Sequence, residues 1–292
     1  MSTRPELKGV ALMLVGIAFL SANDALSKYL AERYPIGEVI CLRQIASLAF
    51  ILPFALMTSG FSSLRIVNVT GQLWRGIAFI GTAVFIVASL AQLPLAIVTA
   101  IAFSSPLWVA VLAGPLLGET VTRTRWISAC IGFVGVLIIM RPGGPSFTWA
   151  LLLPLAGALA NVARDMMTRS LARTETSISI LFWSMLLSIL VMGMTFPFGW
   201  TPILAVDWFW LVLAGLVNAI AHFTMIAAFR FADASALSPY RYTSLIWALA
   251  LGWLIWDHFP DALSLLGAAI IVGAALVAVR QSETRAVRQG SV

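Results

Sequence analysis

Charge is scarce in this chain of 292 residues, with 18 Lys or Arg, 12 Asp or Glu and 2 His. Charged types are only 10% of the sequence, where a soluble domain carries about 25%. A water-soluble fold is excluded, because the 61% of hydrophobic residues would leave too much apolar surface in water. Only two cysteines are present, which rules out a disulfide scaffold. Cys41 and Cys130 both fall in apolar stretches and read as free thiols. Low-complexity tracts and alternating apolar patterns are missing too, so disorder and a β-barrel are set aside.

What the chain does have is long apolar runs and a mean hydropathy of +0.98. Spans of about 20 residues are long enough to cross a bilayer as helices. Breaks at Pro, Gly and charge clusters place ten of them, at about 8–30, 36–57, 72–92, 94–116, 125–140, 148–170, 176–197, 206–229, 233–255 and 261–280. The fold class expected is an all-α membrane protein with a lipid bilayer as its solvent. The formal charge of +6 does not point to nucleic acid, because the basic residues sit singly at span ends. With the N-terminus in the cytoplasm, thirteen of the 18 Lys and Arg fall on the inner side and only Lys28, Arg33 and Arg141 on the outer. Both termini are therefore expected to be cytoplasmic. The N-terminal stretch has no small-residue cleavage site and reads as a first span. Most tryptophans fall at span ends as an aromatic belt, but Trp108, Trp183 and Trp247 do not.

The chain also repeats itself. A shift of 141 residues brings Gly16 onto Gly157, Asp24 onto Asp165, Ser27 onto Thr168 and Lys28 onto Arg169. A shift of 138 brings Ser105 onto Thr243, Glu119 onto Asp257 and Gly135 onto Gly273. The expected units are residues 1–141 and 142–282, followed by a cytoplasmic tail, 283–292. Five spans per unit is an odd number, so the second copy should enter the bilayer inverted. Inverted repeats around a central cavity are an alternating-access architecture.

Asn23 and Lys28 late in the first span, Pro106 in the fourth, and the run Gly114 to Glu119 carry a family resemblance. By them the chain resembles the drug/metabolite transporter superfamily, in its ten-span EamA-type branch. The run Gly252 to Asp257 departs from the usual Gly-Glu ending in the second copy. The resemblance covers about residues 8–280. It implies a basket of helices around a cavity and transport of small metabolites, as in YddG-like amino-acid exporters. The stretch Asp24, Lys28, Tyr34-Pro35, Glu38 and Arg43 also looks like members assigned to cofactor-like solutes such as S-adenosylmethionine.

Ionisable residues at mid-bilayer cost about 2.5–3.5 kcal/mol each on insertion scales, so each needs a partner or a wet cavity. Asp24 is expected to pair with Arg43 or with Lys28, as a static tie or as an outer gate. Asp165 with Arg241 would mirror it on the inner side. Arg164 is placed to meet a substrate carboxylate. Asn218 and His222 lie four apart in the eighth span, where His222 is either a packing group or a proton carrier. Pro106 and Pro239 are expected to kink their helices and open backbone carbonyls to a cavity. The expected substrate contacts are Asn23, Ser105, Trp108, Arg164, Trp183, Asn218, His222, Tyr242 and Trp247. The aromatics among them suit apolar groups and cations.

No catalytic motif, phosphate loop or metal-ligand spacing stands out, so neither an enzyme nor a metal or cofactor site is expected. The expected function is a secondary carrier in the bacterial inner membrane. Its expected substrates are small organic metabolites, foremost amino acids including apolar and aromatic ones, moved outward; uptake or exchange of a cofactor-like solute such as S-adenosylmethionine is the alternative. Asp24, Asp165 and His222 are the candidate carriers of a coupling proton, which facilitated diffusion would not need.

Overall fold

The computed structural model describes residues 4–105, 108, 123–141, 144, 147–171, 174–228, 231 and 237–289. The described residues form ten α-helices, four short 3-10 turns and no strand. The helices are α1 (Arg4–Ala31), α2 (Ile36–Ser59), α3 (Val69–Leu90), α4 (Leu95–Ala102), α5 (Arg123–Met140), α6 (Leu152–Leu171), α7 (Ser177–Gly193), α8 (Ala205–Ala228), α9 (Thr243–Trp256) and α10 (Ala262–Gln289). Six stretches of them, in α1, α2, α3, α6, α7 and α8, are long and apolar enough to cross a membrane.

Helix starts follow local chemistry. Proline precedes the first turn of α2 and of α4, at Pro35 and Pro94, where its missing N–H costs nothing. Asn68 caps α3 by accepting from the Gly71 N–H at 2.8 Å, and Thr176 caps α7 by accepting from the Ser179 N–H at 3.0 Å. Asp257 ends α9 in the left-handed region at φ 54°, which Asp tolerates better than branched residues.

Helix ends define two faces. On face A, the Lys28 Nζ near the end of α1 donates to the Leu90 carbonyl at the end of α3, at 2.9 Å. The Trp256 indole, ending α9, donates to Glu32 at 3.2 Å on the same face. On face B, Glu175 before α7 accepts from the Val67 and Asn68 N–H groups before α3, at 3.2 and 2.8 Å. The start of α1, through Met13 and Ile17, packs with Ala228 at the end of α8. So α1 starts at face B, while α10 starts at face A.

The packing pairs exchange as two sets. Helix α1 lies on α8 and α9, as α6 lies on α3 and α4. Helix α2 lies on α7 and α8, as α7 lies on α2 and α3. Gly16 and Gly157 serve matching contacts: a Cβ at Gly16 would meet Met225 of α8 at 2.6 Å, and one at Gly157 would meet Ile86 of α3 at 2.8 Å.

Helices α5 and α10 form a pair of their own. A Cβ on Gly135 would lie 2.7 Å from the Gly267 carbonyl, and one on Gly267 would lie 2.7 Å from the Gly135 carbonyl. Their face-A ends are tied by an Arg141–Asp261 ion pair. Ser264 and Arg141 together hold the Asp261 carboxyl below the usual carboxylate range. Small residues drive such contacts in lipid, where packing replaces the hydrophobic effect. Gly267→Val is expected to cost about 1–3 kcal/mol by overpacking, read as a lower melting temperature in detergent. Gly273→Ala is the control, because a Cβ there meets nothing within 4 Å.

Three expectations about helices concern Pro239, Pro106 and the end of the last span. Pro239 lies in the first turn of the 3-10 segment Ser238–Tyr242, directly before α9, where a residue without an N–H is accommodated. Pro106 lies outside the described residues. Helix α10 runs past the expected span end to Gln289, because the tail keeps helix-forming residues.

Candidate functional site

The polar side chains inside the bundle form two layers. Asn23, Asp24 and Ser27 lie in the last turns of α1, and Arg43 lies seven residues into α2. At 1.5 Å per residue this puts Arg43 about 10 Å from face A. Arg43 is buried, at 5% exposure, and its Nη1 donates to Asn23 Oδ1 and Ser27 Oγ, both at 2.9 Å. Asn23 in turn donates to Asp24 Oδ1 at 3.2 Å. Asn23 therefore stands between the acid and the guanidinium that acts on it electrostatically.

The second layer lies near face B. Arg75 sits six residues into α3, about 9 Å from that face. It too is 5% exposed. Its Nε donates to Thr168 at 2.8 Å, and its Nη1 donates to the Ile180 carbonyl at 3.0 Å and to Ser184. Arg164 of α6 pairs with Asp165 at 3.0 Å, and Arg241 approaches the other Asp165 oxygen at 3.8 Å. Three guanidinium groups thus gather near one carboxylate, and His222 of α8 lies within electrostatic reach of Arg164 and Arg75, and of Arg43 in the other layer. Phe79 stands between, with the Arg75 Cζ 6.0 Å and the His222 ring 6.4 Å from its centroid.

Two chain segments leave regular helix inside the bundle. Helix α4 stops at Ala102, and the 3-10 segment precedes α9. Phe103 and Tyr242 touch edge to face there, 5.0 Å between centroids.

Several expected contacts are placed elsewhere. Lys28 does not pair with Asp24. It turns to Glu32 at 2.6 Å, the acid one turn nearer the helix end, and sits 5.3 Å from the Trp256 ring. Ser27 accepts a hydrogen bond from Arg43. The Trp183 indole donates to the Leu64 carbonyl at 2.8 Å, in the face-B loop before α3. Asn218 donates to Ser47 at 2.9 Å and ties α8 to α2. Ser105 donates to the Ala102 carbonyl at 2.7 Å, with the Ala158 carbonyl of α6 at 3.4 Å. Trp108 packs edge to face on Phe133 of α5, 5.0 Å between centroids. Trp247 is exposed on α9. Cys41 is buried against the Ile189 carbonyl, and Cys130 is exposed.

Arg75, Phe79 and Ser184 are not among the contacts expected from the sequence. Arg75 is one of the thirteen inner-side Lys and Arg. Its position inside an otherwise apolar span was the available signal.

Long apolar helices packed around buried guanidinium and carboxylate groups are the build of an integral membrane protein that handles a polar solute. The model of the EamA-like transporter family matches residues 7–141 and again 148–280. The chain belongs to that family, and is a multi-pass small-molecule transporter of the bacterial plasma membrane. It is 29% identical over 268 residues to an S-adenosylmethionine uptake transporter of Rickettsia bellii, covering 92% of each chain. It is 30% identical over 297 residues to a riboflavin transporter of Rhizobium johnstonii, covering 97% of this chain and 94% of that one. It is 25% identical over 277 residues to a pseudopaline exporter of Pseudomonas aeruginosa, covering 93% and 96%. A solved protein crystal structure shares the fold, with a TM-score of 0.65 at 19% identity over 94% of this chain and 98% of that one. The family and the relatives' names are those of transporters rather than enzymes.

Proposed function

We propose that this chain is a secondary carrier for a small zwitterionic metabolite, with S-adenosylmethionine ahead of free amino acids. Two inverted five-helix halves, residues 1–141 and 142–282, would open the site to each side in turn. The exchange of packing pairs between α1–α5 and α6–α10 supports that pseudo-symmetry. The observation that carries the substrate class is the pair of charged layers. Guanidinium groups of Arg43, Arg75 and Arg164 suit a carboxylate. Asp24 and Asp165 suit an ammonium or sulfonium group. The S-adenosylmethionine uptake transporters among the relatives favour that solute over a free amino acid. Free amino acids share the same α-amino carboxylate head and are the second reading.

Lys and Arg gather toward face B, which would make it the cytoplasmic face with both termini. A reporter fused after Gln289 is expected to be active only in the cytoplasm, and activity only outside would reverse the orientation.

The test is counterflow in liposomes holding the purified protein. Labelled S-adenosylmethionine would run beside leucine, threonine, methionine, tryptophan and riboflavin. Saturable exchange of S-adenosylmethionine is expected. Exchange of amino acids alone would leave the carrier and replace its substrate, and no exchange of any zwitterion would overturn the reading. Acceleration by a pH gradient would assign proton coupling to Asp24, Asp165 or His222.

A further inference from the structure

The two buried arginines occupy matched places. Arg43 is held on Ser27 of α1, and Arg75 on Thr168 of α6, which a shift of 141 residues makes equivalent. They reach these places from different helices, α2 and α3. Every hydrogen-bond acceptor they have among the described residues is neutral: Asn23 and Ser27 for Arg43, Thr168, Ser184 and a carbonyl for Arg75. No carboxylate lies within ion-pair distance of either one among the described residues. A buried guanidinium of this kind is costly unless an anion completes it. Arg43 also leaves its Nε buried and without a partner. The neutral acceptors fix each side chain in place, so little further ordering is needed when an anion arrives.

Depth separates the two. Arg43 lies about 10 Å inside face A and Arg75 about 9 Å inside face B, so a bilayer core of about 30 Å leaves about 11 Å between them. One small solute cannot place one carboxylate on both at once. We infer that Arg43 and Arg75 are alternative receptors for the same substrate carboxylate. Arg43 holds it when the site is open to face A, and Arg75 holds it when the site is open to face B. The inference rests on the carrier reading above and adds which residue sets affinity on which side. Phe79 and His222 stand next to Arg75, so the face-B receptor also presents a ring surface to the remainder of the solute.

The experiment uses membrane vesicles of both orientations containing the full chain as wild type, Arg43→Gln, Arg43→Lys, Arg75→Gln or Arg75→Lys. The probes are S-adenosylmethionine and its decarboxylated form. Arg43→Gln is expected to raise the half-saturating S-adenosylmethionine concentration about tenfold to a hundredfold from face A and to leave face B unchanged. Arg75→Gln is expected to do the reverse. The Lys variants recover part of the loss, because they keep a point charge without the fork of donors. The decarboxylated probe should be insensitive to all four changes. Equal effects from both sides, or equal losses with the decarboxylated probe, would reduce the arginines to packing groups and overturn the inference, with the carrier reading intact. If a Gln variant fails to fold, its Lys partner carries the same side-specific comparison. Wild-type vesicles that move neither S-adenosylmethionine nor a free amino acid would instead sink the carrier's substrate class, and the inference with it.

Discussion

Asp24→Asn is expected to slow solute exchange by about tenfold to a hundredfold while the protein still inserts and folds. The side chain lies in the last turns of α1 and takes one hydrogen bond, from Asn23 at 3.2 Å. Among the described residues it has no ion pair within 4 Å. Asparagine keeps its shape and its acceptor and removes only the charge. An ionisable residue inside a span costs about 2.5–3.5 kcal/mol on insertion, so its removal should not lower the amount of protein in the membrane. A static tie between α1 and α2 would behave differently, because Arg43 would then lose its counter-charge and the fold would suffer. Two readings on the same preparation separate these outcomes: counterflow rate, and the yield of monodisperse protein. Lost rate with normal yield assigns Asp24 to the solute. Lost yield assigns it to the scaffold. Asp24→Ala should follow the same pattern.

Asp207→Ala is expected to have the largest effect on stability, a loss of about 2–4 kcal/mol. Asp207 has a fully buried side chain in the first turn of α8. It accepts from Tyr34 at 2.7 Å and from Tyr29 at 3.2 Å. Arg33 approaches at 3.4 Å, but its side chain is half exposed and adds little. Tyr34 also accepts from the Leu204 N–H at 3.1 Å, so one hydroxyl ties the α1–α2 turn to the chain entering α8. Alanine leaves both tyrosine hydroxyls without their acceptor and removes a negative charge from a helix N-terminus. A melting curve in detergent reads the loss. Asp207→Asn should lose less, because an amide oxygen still accepts. An unchanged melting temperature in Asp207→Ala would show that the cluster does not hold the face-A turn.

The helical membrane class was legible in composition and in the length of the apolar runs, since lipid forces every buried backbone group to pair within a helix or a closed barrel. The internal match was legible where polar residues recur, as at Asp24 with Asp165 and Ser27 with Thr168. Ion pairs were legible only in part. Asp165 with Arg241 follows from their similar depth in the sixth and ninth spans, and the two stand 3.8 Å apart. Asp24 with Lys28 fails, because a helical lysine has an acid one turn away on either side and spacing does not choose between them. The chosen partner, Glu32, lies where Leu90 and Trp256 converge, and both come from distant parts of the chain.

Depth and partner choice explain the other differences. Trp183 lies off the belt in sequence because its span was measured from the apolar run, yet Leu64 of another loop reaches it. Arg75 looked like an edge charge until α6 and α7 supplied Thr168, Ile180 and Ser184 around it. The sequence alone determined that the chain lives in a bilayer, that its polar residues recur in two halves, and which side chains are too costly there to be incidental. Only the tertiary structure decided which of those side chains meet. Helical spacing constrains neighbours along one helix, whereas the buried guanidinium of Arg75 finds its acceptors on two others.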